Sequence, residues 1–490
     1  MFSGSAGRRR WSRASTTAVV VLTCTALVGG CADTIGGTPT SSRTTSATEV
    51  AGLPVTDGPS GPKNQAPEPD QPVAGTDHGT TDELARNAVA DVEDFWADAF
   101  PATFDGASFD PVSRLVSYDS RAPRGVRLCG ADTKGLANAF YCPTDDLIAW
   151  DRGDLLPQLS AEFGPMAPVA VLAHEMGHAV QKRAGTAGPD DPVIVLEQQA
   201  DCYTGSYFRH VAEGSSEHFE ISTGNGLNQV LGVLDHIRDV PGTSDFRVQD
   251  AHGSAFDRVT AFQFGFAEGP ERCTRMDFAD VAERTTQFEF WKDGQDEDLP
   301  VDRESVDAVV TSLREVFVET GAEPPVITTA PADCPGRTTT SPAAYCPETN
   351  TVSLDLDELR EIGAPPEPGD PTAGRGDFAA YAQIASRYAL SVQQAAGLPL
   401  DDPAAGLRTA CLVGSWSGLL LEDPIGQRNP VGRLRIAPGD VDEGVAAMLT
   451  EDSLVAADVT GAQAPAGFAR VEAFRVGFQD GFSPCTTNYV

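Results

Sequence analysis

The sequence predicts an α+β fold in which one folding unit occurs twice, and three observations support this prediction. Short segments with the composition of strands, such as residues 146–151, alternate with longer amphipathic segments that have helical spacing. The order of these segments in residues 81–290 recurs, weakly, in residues 300–490. The polar residues that could form a functional site in the first unit are replaced in the second. We therefore expect the second unit to be a degenerate, inactive copy of the first.

The first 80 residues are predicted to precede the folded units. Residues 1–30 combine a basic region with an apolar stretch, which is typical of an export signal. The residues before Cys31 resemble the lipobox of bacterial lipoproteins, so Cys31 is predicted to carry lipid, palmitate included, and to anchor the chain on the outer face of the plasma membrane. The arginine cluster also leaves a twin-arginine signal open. Residues 31–80, rich in Thr, Ser, Pro and Gly, are predicted to be a flexible tether.

Length and charge limit the function classes. A chain of 490 residues is too long for one core, and two or three domains are expected. The formal net charge of -36 argues against nucleic-acid binding, because no basic surface could neutralise phosphates.

The cysteines support both export and the internal repeat. Of the ten cysteines, Cys24 lies in the predicted signal and Cys31 is the predicted lipid site, which leaves eight. An even number in an exported protein predicts disulfides. Equivalent pairing in the two units predicts four bonds: Cys129 to Cys142, Cys202 to Cys273, Cys334 to Cys346 and Cys411 to Cys485.

The stretch HEMGH at residues 174–178 is the main functional motif of the chain. It is predicted to lie on a helix that starts near Pro168 and ends at Gly185. Residues four apart share a helix face, so His174 and His178 can bind one metal ion. Glu175 is rotated away from the ion and would face a zinc-bound water as general base. The motif therefore predicts a zinc-dependent hydrolase with one Zn²⁺ per chain, although the ligands would also accept cobalt or manganese.

A catalytic zinc usually has three protein ligands, and Glu197 is the predicted third. It lies on the next helix, which begins near Pro192. Asp201, four residues later, is predicted to accept a hydrogen bond from the outer nitrogen of a zinc-bound imidazole. In the second unit Ser386, Arg387 and Leu390 stand in the places of His174, Glu175 and His178, in that order. The two acids of the following helix have no counterpart there either.

Three further assignments concern the surroundings of the metal. His252, just before a helix whose start is indicated by Ser254 and Asp257, is predicted to stabilise the oxyanion. Cys202 could be a metal ligand instead of a disulfide partner, but its retained counterpart Cys411 favours the disulfide. The strand from Leu147 to Trp150 is predicted to be the sheet edge that binds an extended peptide.

Three segments carry a family resemblance: residues 171–181, residues 196–205 and residues 252–259. They resemble the neutral zinc metallopeptidases of bacterial envelopes, and the signal and degenerate second half resemble peptidase-like lipoproteins of actinobacteria. The resemblance covers most of the first half and implies a zincin-like fold, with His174, His178 and Glu197 on zinc and Glu175 as general base. The sequence departs from the family at Ala179, where members often carry another histidine.

These observations predict a lipid-anchored metallopeptidase that cleaves a peptide or protein substrate in the bacterial cell envelope. The alternative is a non-catalytic zinc-binding lipoprotein that acts as a binding or scaffolding module, in which His252 or Asp201 would close the metal site as a fourth ligand. A third hypothesis gives the inactive copy its own role, in recognising a partner or covering the active cleft.

Overall fold

A mixed sheet in the first half of the chain supports the helix that carries residues 174–178. The structure is a computed structural model, and it describes residues 46–186, 192–239, 252–284, 299–365, 374–420, 434, 436–437 and 439–489. Residues 42–490 form one compact unit, and the remaining unit, residues 1–41, lies outside the described residues. The predicted signal and the predicted lipid site Cys31 therefore also lie outside them.

The described residues of the first half form a long N-terminal helix, a set of short strands and seven further helices. The helices are α1 (Thr80–Thr103), α2 (Leu155–Phe163), α3 (Met166–Ala184), α4 (Val193–Ala212), α5 (Asn225–His236), α6 (Ala255–Glu268), α7 (Pro270–Cys273) and α8 (Phe278–Arg284). The strands are β1 (Glu49–Val50), β2 (Leu53–Pro54), β3 (Gly61–Pro62), β4 (Val73–Ala74), β5 (Arg114–Tyr118), β6 (Arg127–Leu128), β7 (Ala131–Asp132), β8 (Ala139–Cys142), β9 (Leu147–Asp151) and β10 (Phe219–Glu220).

The second half has a similar but shorter order of elements. Its helices are α9 (Arg303–Val316), α10 (Leu356–Ile362), α11 (Asp377–Ala395), α12 (Pro403–Leu420), α13 (Asp440–Leu449) and α14 (Gly467–Asp480), with 3-10 helices at Val318–Thr320 and Ser483–Thr486. Its strands are β11 (Val326–Thr328), β12 (Ala343–Cys346) and β13 (Thr351–Leu354). The α+β class predicted from the sequence is confirmed. Among the described residues, no helix is both long and apolar enough to cross a bilayer.

The main sheet has the strand order β4-β5-β9-β8. The first three strands are parallel, and β8 runs antiparallel to β9, with Tyr141 opposite Ile148. All five residues of β9 are buried between two neighbours, whereas β8 lies at the edge and contacts α3. The edge strand next to the motif helix is therefore β8. The prediction that Leu147 to Trp150 form a peptide-binding edge is wrong, because that strand is paired on both sides.

Residues 46–79 differ from the prediction of a tether that extends to residue 80. Val50 and Ala51 are buried, and the Arg209 guanidinium donates to the Ala51 carbonyl at 2.7 Å. Strand β4 joins the main sheet, and β3 pairs with β10. This segment has few large apolar residues, so its composition resembles a tether, but its backbone hydrogen bonds hold it on the folded unit. The rest of the predicted tether, residues 31–45, lies outside the described residues.

The motif helix α3 spans Met166–Ala184, close to the predicted limits of Pro168 and Gly185. Gly185 ends it in the left-handed conformation, with a φ of 67°. The other predicted helix starts are close as well. Helix α4 begins directly after Pro192, and Ser254 caps α6 by accepting a hydrogen bond from the Asp257 amide at 3.1 Å.

Helices from both halves of the chain meet in one hydrophobic core. The ring of Phe256, on α6, contacts the rings of Phe474 and Phe478, on α14. The Gln263 side chain donates to the Phe468 carbonyl at 2.9 Å, and the Gly467 amide donates to Asn228 at 2.7 Å. The second half therefore packs against α5 and α6, the helices that lie behind the candidate site.

Candidate metal centre

The site is built where α3 crosses α4. Gly177 lies at a close approach of the two helices, since a Cβ there would be 2.8 Å from the Ala200 Cα. A glycine within the motif thus lets the second helix come close enough to place Glu197 and Asp201 beside the first.

Three side chains present their ligand atoms to one point. His174 Nε2 is 3.1 Å from Glu197 Oε2, and His178 Nε2 is 3.4 Å from Glu197 Oε1. Ligand atoms of all three residues lie within 4.8 Å of one another. A tetrahedral zinc with bonds of about 2.0–2.1 Å separates its ligands by about 3.3 Å. The spacing of this group therefore fits a zinc ion.

The outer nitrogen of His174 is fixed by a buried ion pair. His174 Nδ1 is 2.8 Å from Asp201 Oδ1, the role predicted for Asp201. Arg258, on α6, holds the same carboxylate with two hydrogen bonds, one from Nε and one from Nη2, each of 2.9 Å. Both charged residues are at most 2% exposed. Since both oxygens of Asp201 are engaged, it orients His174 and is not available as a fourth ligand.

His178 is oriented by a neutral partner instead. Its Nδ1 is 3.0 Å from the side-chain oxygen of Gln181, one helical turn later. The Gln181 amide in turn donates to the Leu196 carbonyl at 2.6 Å. Both imidazoles therefore turn Nε2 toward the ligand group, as metal-binding histidines require.

Glu175 lies beside the ligand group and is tied to the sheet edge. Its Oε2 accepts a hydrogen bond from the backbone amide of Tyr141, on β8, at 2.8 Å. Burial raises the pKa of the Glu175 carboxyl, while His174 and His178 oppose that shift. The motif carboxylate is thus fixed between the edge strand and the two histidines.

Electrostatics couple the ligands to one another. Burial disfavours the charged form of His174, but Asp201 and Glu197 outweigh it and raise its pKa to about 10. Burial also opposes ionisation of Glu197, but the two histidines hold its pKa well below its ordinary range. Without a metal His174 therefore tends to hold a proton, which a metal ion must displace.

The predicted oxyanion donor His252 lies at the rim of the same site. Its Nε2 is 3.9 Å from Glu197 Oε2, and its side chain is 45% exposed. Asp239 holds it by accepting from the His252 and Gly253 amides, both at 2.8 Å, and lies 3.3 Å from His252 Nδ1. The structure thus brings His252 to the site, outside the group of three ligands.

The structure pairs the cysteines as the sequence predicts. The four disulfides are Cys129–Cys142, Cys202–Cys273, Cys334–Cys346 and Cys411–Cys485. Cys202 is therefore not a metal ligand. It instead ties α4 to α7, close behind Asp201.

Three supporting residues were not predicted: Arg258, Gln181 and Asp239. Gln181 and Arg258 lie in the segments that carry the family resemblance. The recurrence of Arg258 as Arg470 in the second half could have indicated that this arginine has a structural role. Asp239 lies between the site segments and had no signal, because its partner His252 comes near only through folding.

Comparisons with known proteins relate the first half of the chain to one family. Residues 46–276 match the model of the family described as "Putative neutral zinc metallopeptidase", which confirms the resemblance for this part of the chain. An uncharacterized protein of Mycobacterium tuberculosis is 29% identical over 168 residues, covering 29% of this chain and 56% of the relative. The uncharacterized protein YpfJ of Escherichia coli is 28% identical over 207 residues, covering 38% of this chain and 68% of the relative. The chain thus spans about half the length of the mycobacterial relative. No solved structure matches the chain.

Proposed function

We propose, from the family match of residues 46–276 and the ligand group of α3 and α4, that the chain is a zinc-dependent peptidase. The observation that carries this proposal is the convergence of His174, His178 and Glu197, with Glu175 beside them. Three protein ligands are the number found at catalytic zinc sites, which keep one position for water or substrate.

The donor set suits one zinc ion per chain. Two imidazole nitrogens and one carboxylate are typical zinc ligands, and their separations of 3.1 and 3.4 Å match the metal's size. A bound zinc ion would polarise the peptide carbonyl and lower the pKa of the attacking water.

The chain's own residues supply proton transfer and substrate placement. Glu175, fixed by the Tyr141 amide, takes the proton of the attacking water and passes it to the leaving amine. His252, partly exposed at the rim and held by Asp239, donates to the oxyanion that forms on the substrate. The free edge of β8 is the surface along which an extended peptide would lie, since that strand contacts Glu175 directly.

We propose that the second half is a degenerate copy that cannot bind zinc in the way the first half does. All seven histidines precede residue 253. Arg387, which takes the place of Glu175, is fully buried and fills the equivalent position, donating to the carbonyls of Leu454, Ala457 and Asp458 at 2.7–3.0 Å.

The packing of the two halves supports descent from one unit. In the first half, a Cβ on Gly205 would overlap the Phe262 carbonyl, and one on Gly265 would overlap the Cys202 carbonyl. Gly414 and Gly477 make the equivalent close approach between α12 and α14. Each glycine lies at the same distance in sequence from its disulfide cysteine as its counterpart. The same helix crossing, locked by the same disulfide, thus occurs twice.

The cellular setting rests on the N-terminal sequence. An export signal, a lipid anchor at Cys31 and four disulfides suit a protein on the outer face of the plasma membrane, where peptides or proteins of the envelope would be the substrates. The arrangement gives less support to a purely structural zinc site, because Asp201 is occupied by Arg258 and His252 lies outside the ligand group.

Digestion of a peptide library by the purified chain tests the proposal. Wild type is expected to cleave, and Glu175→Gln is expected to bind zinc equally well and to lose about 100- to 10,000-fold in rate, because the proton acceptor is gone. Glu83→Gln, at an exposed position of α1, is the matched control and should cleave as wild type. Equal cleavage by Glu175→Gln and wild type would exclude the proposed role of this carboxylate.

A further inference from the structure

A carboxylate of the second half lies against the segments that hold His252. Asp442, near the start of α13, is buried, with 1% of its surface exposed. Its Oδ1 accepts a hydrogen bond from the backbone amide of Phe256 at 3.1 Å, and its Oδ2 is 3.5 Å from Nε of Arg238. Phe256 lies in the first turn of α6, and Arg238 lies just after α5. One side chain of the second half thus joins two separate segments of the first half.

These two segments are the ones that place His252 at the metal centre. Arg238 directly precedes Asp239, which accepts a hydrogen bond from the His252 amide at 2.8 Å. Phe256 follows His252 closely in the chain, at the start of the helix that His252 leads into. A displacement of either segment would therefore move the His252 ring, and Asp442 contacts both segments at once.

A second contact between the halves has the same form. Asn228, on α5, accepts a hydrogen bond from the backbone amide of Gly467, the first residue of α14, at 2.7 Å. Each half thus contributes a side chain that accepts from the first turn of a helix in the other half, as a helix cap does. The contact beside His252 is made by a carboxylate and pairs with an arginine, whereas the contact with α14 is made by a neutral amide.

The charge of Asp442 is disfavoured by its surroundings. Burial raises the pKa of Asp442 to about 7, and Asp235 acts in the same direction, while Arg238 and the Phe256 amide oppose the shift. Because this pKa lies above the ordinary value of 3.8, the stability that the protonated form contributes is full below pH 3.8 and is lost as the pH rises through 7. A neutral side chain would suit this position better above pH 7, so the carboxylate indicates a role other than stability.

We infer that Asp442 is a positioning residue for the proposed peptidase reaction, and that the second half supports the active site of the first half through it. By binding both segments, this carboxylate keeps His252 at the place where the oxyanion forms. The inference rests on the proposed function, in which His252 donates to that oxyanion. It gives the second half a task at the metal centre in place of the zinc ligands that its sequence has lost.

Amide hydrogen exchange of the zinc-loaded chain tests the placement without requiring activity. In Asp442→Leu, the amides of His252 and Gly253 should exchange at least about tenfold faster than in wild type, although Asp442 bonds to neither of them. A merely local role would speed the exchange of the Phe256 amide alone. Asn228→Ala removes the similar contact with α14, and as the matched control it should leave the His252 and Gly253 amides unchanged.

Peptide cleavage is the second measurement. Asp442→Leu should lower kcat about tenfold and leave KM within about twofold of wild type, because an oxyanion donor acts in the transition state and its complete loss costs about 100- to 1000-fold. Asp442→Asn keeps an acceptor for the Phe256 amide, so its kcat should lie between those of wild type and Asp442→Leu.

Urea unfolding at pH 8 separates positioning from a structural role. Asp442→Asn removes a charge whose burial is unfavourable, so its unfolding midpoint should equal or exceed that of wild type although its kcat is lower. A lower midpoint together with an unchanged kcat would assign Asp442 a merely structural role.

Three results would overturn the inference: unchanged exchange at His252 and Gly253 in Asp442→Leu, equally raised exchange in Asn228→Ala, or an unchanged kcat. If Asp442→Leu does not fold, Asp442→Asn decides the question, and exchange and kcat equal to those of wild type would then overturn it. If wild type cleaves no peptide, the proposed function fails, whereas the exchange measurement still decides whether the second half holds His252 in place.

Discussion

Replacing Asp201 with asparagine tests how the metal ligands are held in place. The substitution keeps the shape of the side chain and an oxygen for His174 Nδ1, which is 2.8 Å away. It removes the charge that neutralises Arg258, whose guanidinium makes two hydrogen bonds of 2.9 Å to the carboxylate. The change therefore isolates the charge behind the first zinc ligand.

Two effects of different size are expected. Arg258 is 2% exposed and would be left as a buried, unpaired charge, which costs about 3–5 kcal/mol in the free energy of unfolding. Zinc affinity should fall by about 10–100-fold, because the imidazole is less basic and less firmly oriented. The double variant Asp201→Asn with Arg258→Met removes both charges and should recover part of the lost stability.

Urea unfolding of the metal-free protein measures the first effect, and competition with a zinc chelator measures the second. The matched control is Asp357→Asn, which breaks an exposed ion pair with Arg360, of 2.5 Å, and should cost about 1 kcal/mol or less with no change in zinc affinity. If Asp201→Asn and the control behave alike in both assays, the ion pair does not support the metal site and the reasoning is wrong.

Three further predictions follow from the described residues. Burial raises the pKa of Glu93 to about 7, so the stability that its protonated form contributes is full below pH 4.5 and is lost as the pH rises through 7. In urea unfolding this loss should be at most about 3 kcal/mol between pH 4.5 and 8. Glu93→Gln should remove the loss, and Glu83→Gln should not. Gly205→Ala should lower the melting temperature sharply because its Cβ would overlap a carbonyl of α6, whereas Gly58→Ala, with open space around it, should not. Removal of residues 299–490 should leave an insoluble fragment, because it exposes the aromatic face of α6 that packs on α14. A soluble fragment with raised peptidase activity would instead indicate that the second half is an inhibitor.

The local parts of the site could be predicted from the sequence. Helical spacing places His174 and His178 on one face, and the acid on the following helix reaches them because α3 and α4 are neighbours in the chain. The disulfide pairs followed from the recurrence of the cysteines. These features depend on short-range geometry or on direct comparison of the two halves.

The remaining features depend on how distant segments pack. The order of strands in a sheet is not contained in the pattern of any one strand, so the pattern of β9 predicts a sheet edge, whereas the edge is formed by β8. Residues 46–79 bind through their backbone, which composition does not reveal. The contact of Arg258 with Asp201 joins residues that are far apart in sequence, and α13 and α14 meet α5 only in the folded chain.

Zinc-edge anomalous diffraction from crystals of the metal-loaded chain tests the central claim most directly. The account predicts one peak per chain, within about 2.0–2.2 Å of His174 Nε2, His178 Nε2 and a Glu197 oxygen, with no fourth protein ligand. A peak closed by a fourth side chain, such as His252, would indicate a structural zinc site and contradict the assignment as a peptidase. A site that binds no zinc would contradict the ligand assignment itself.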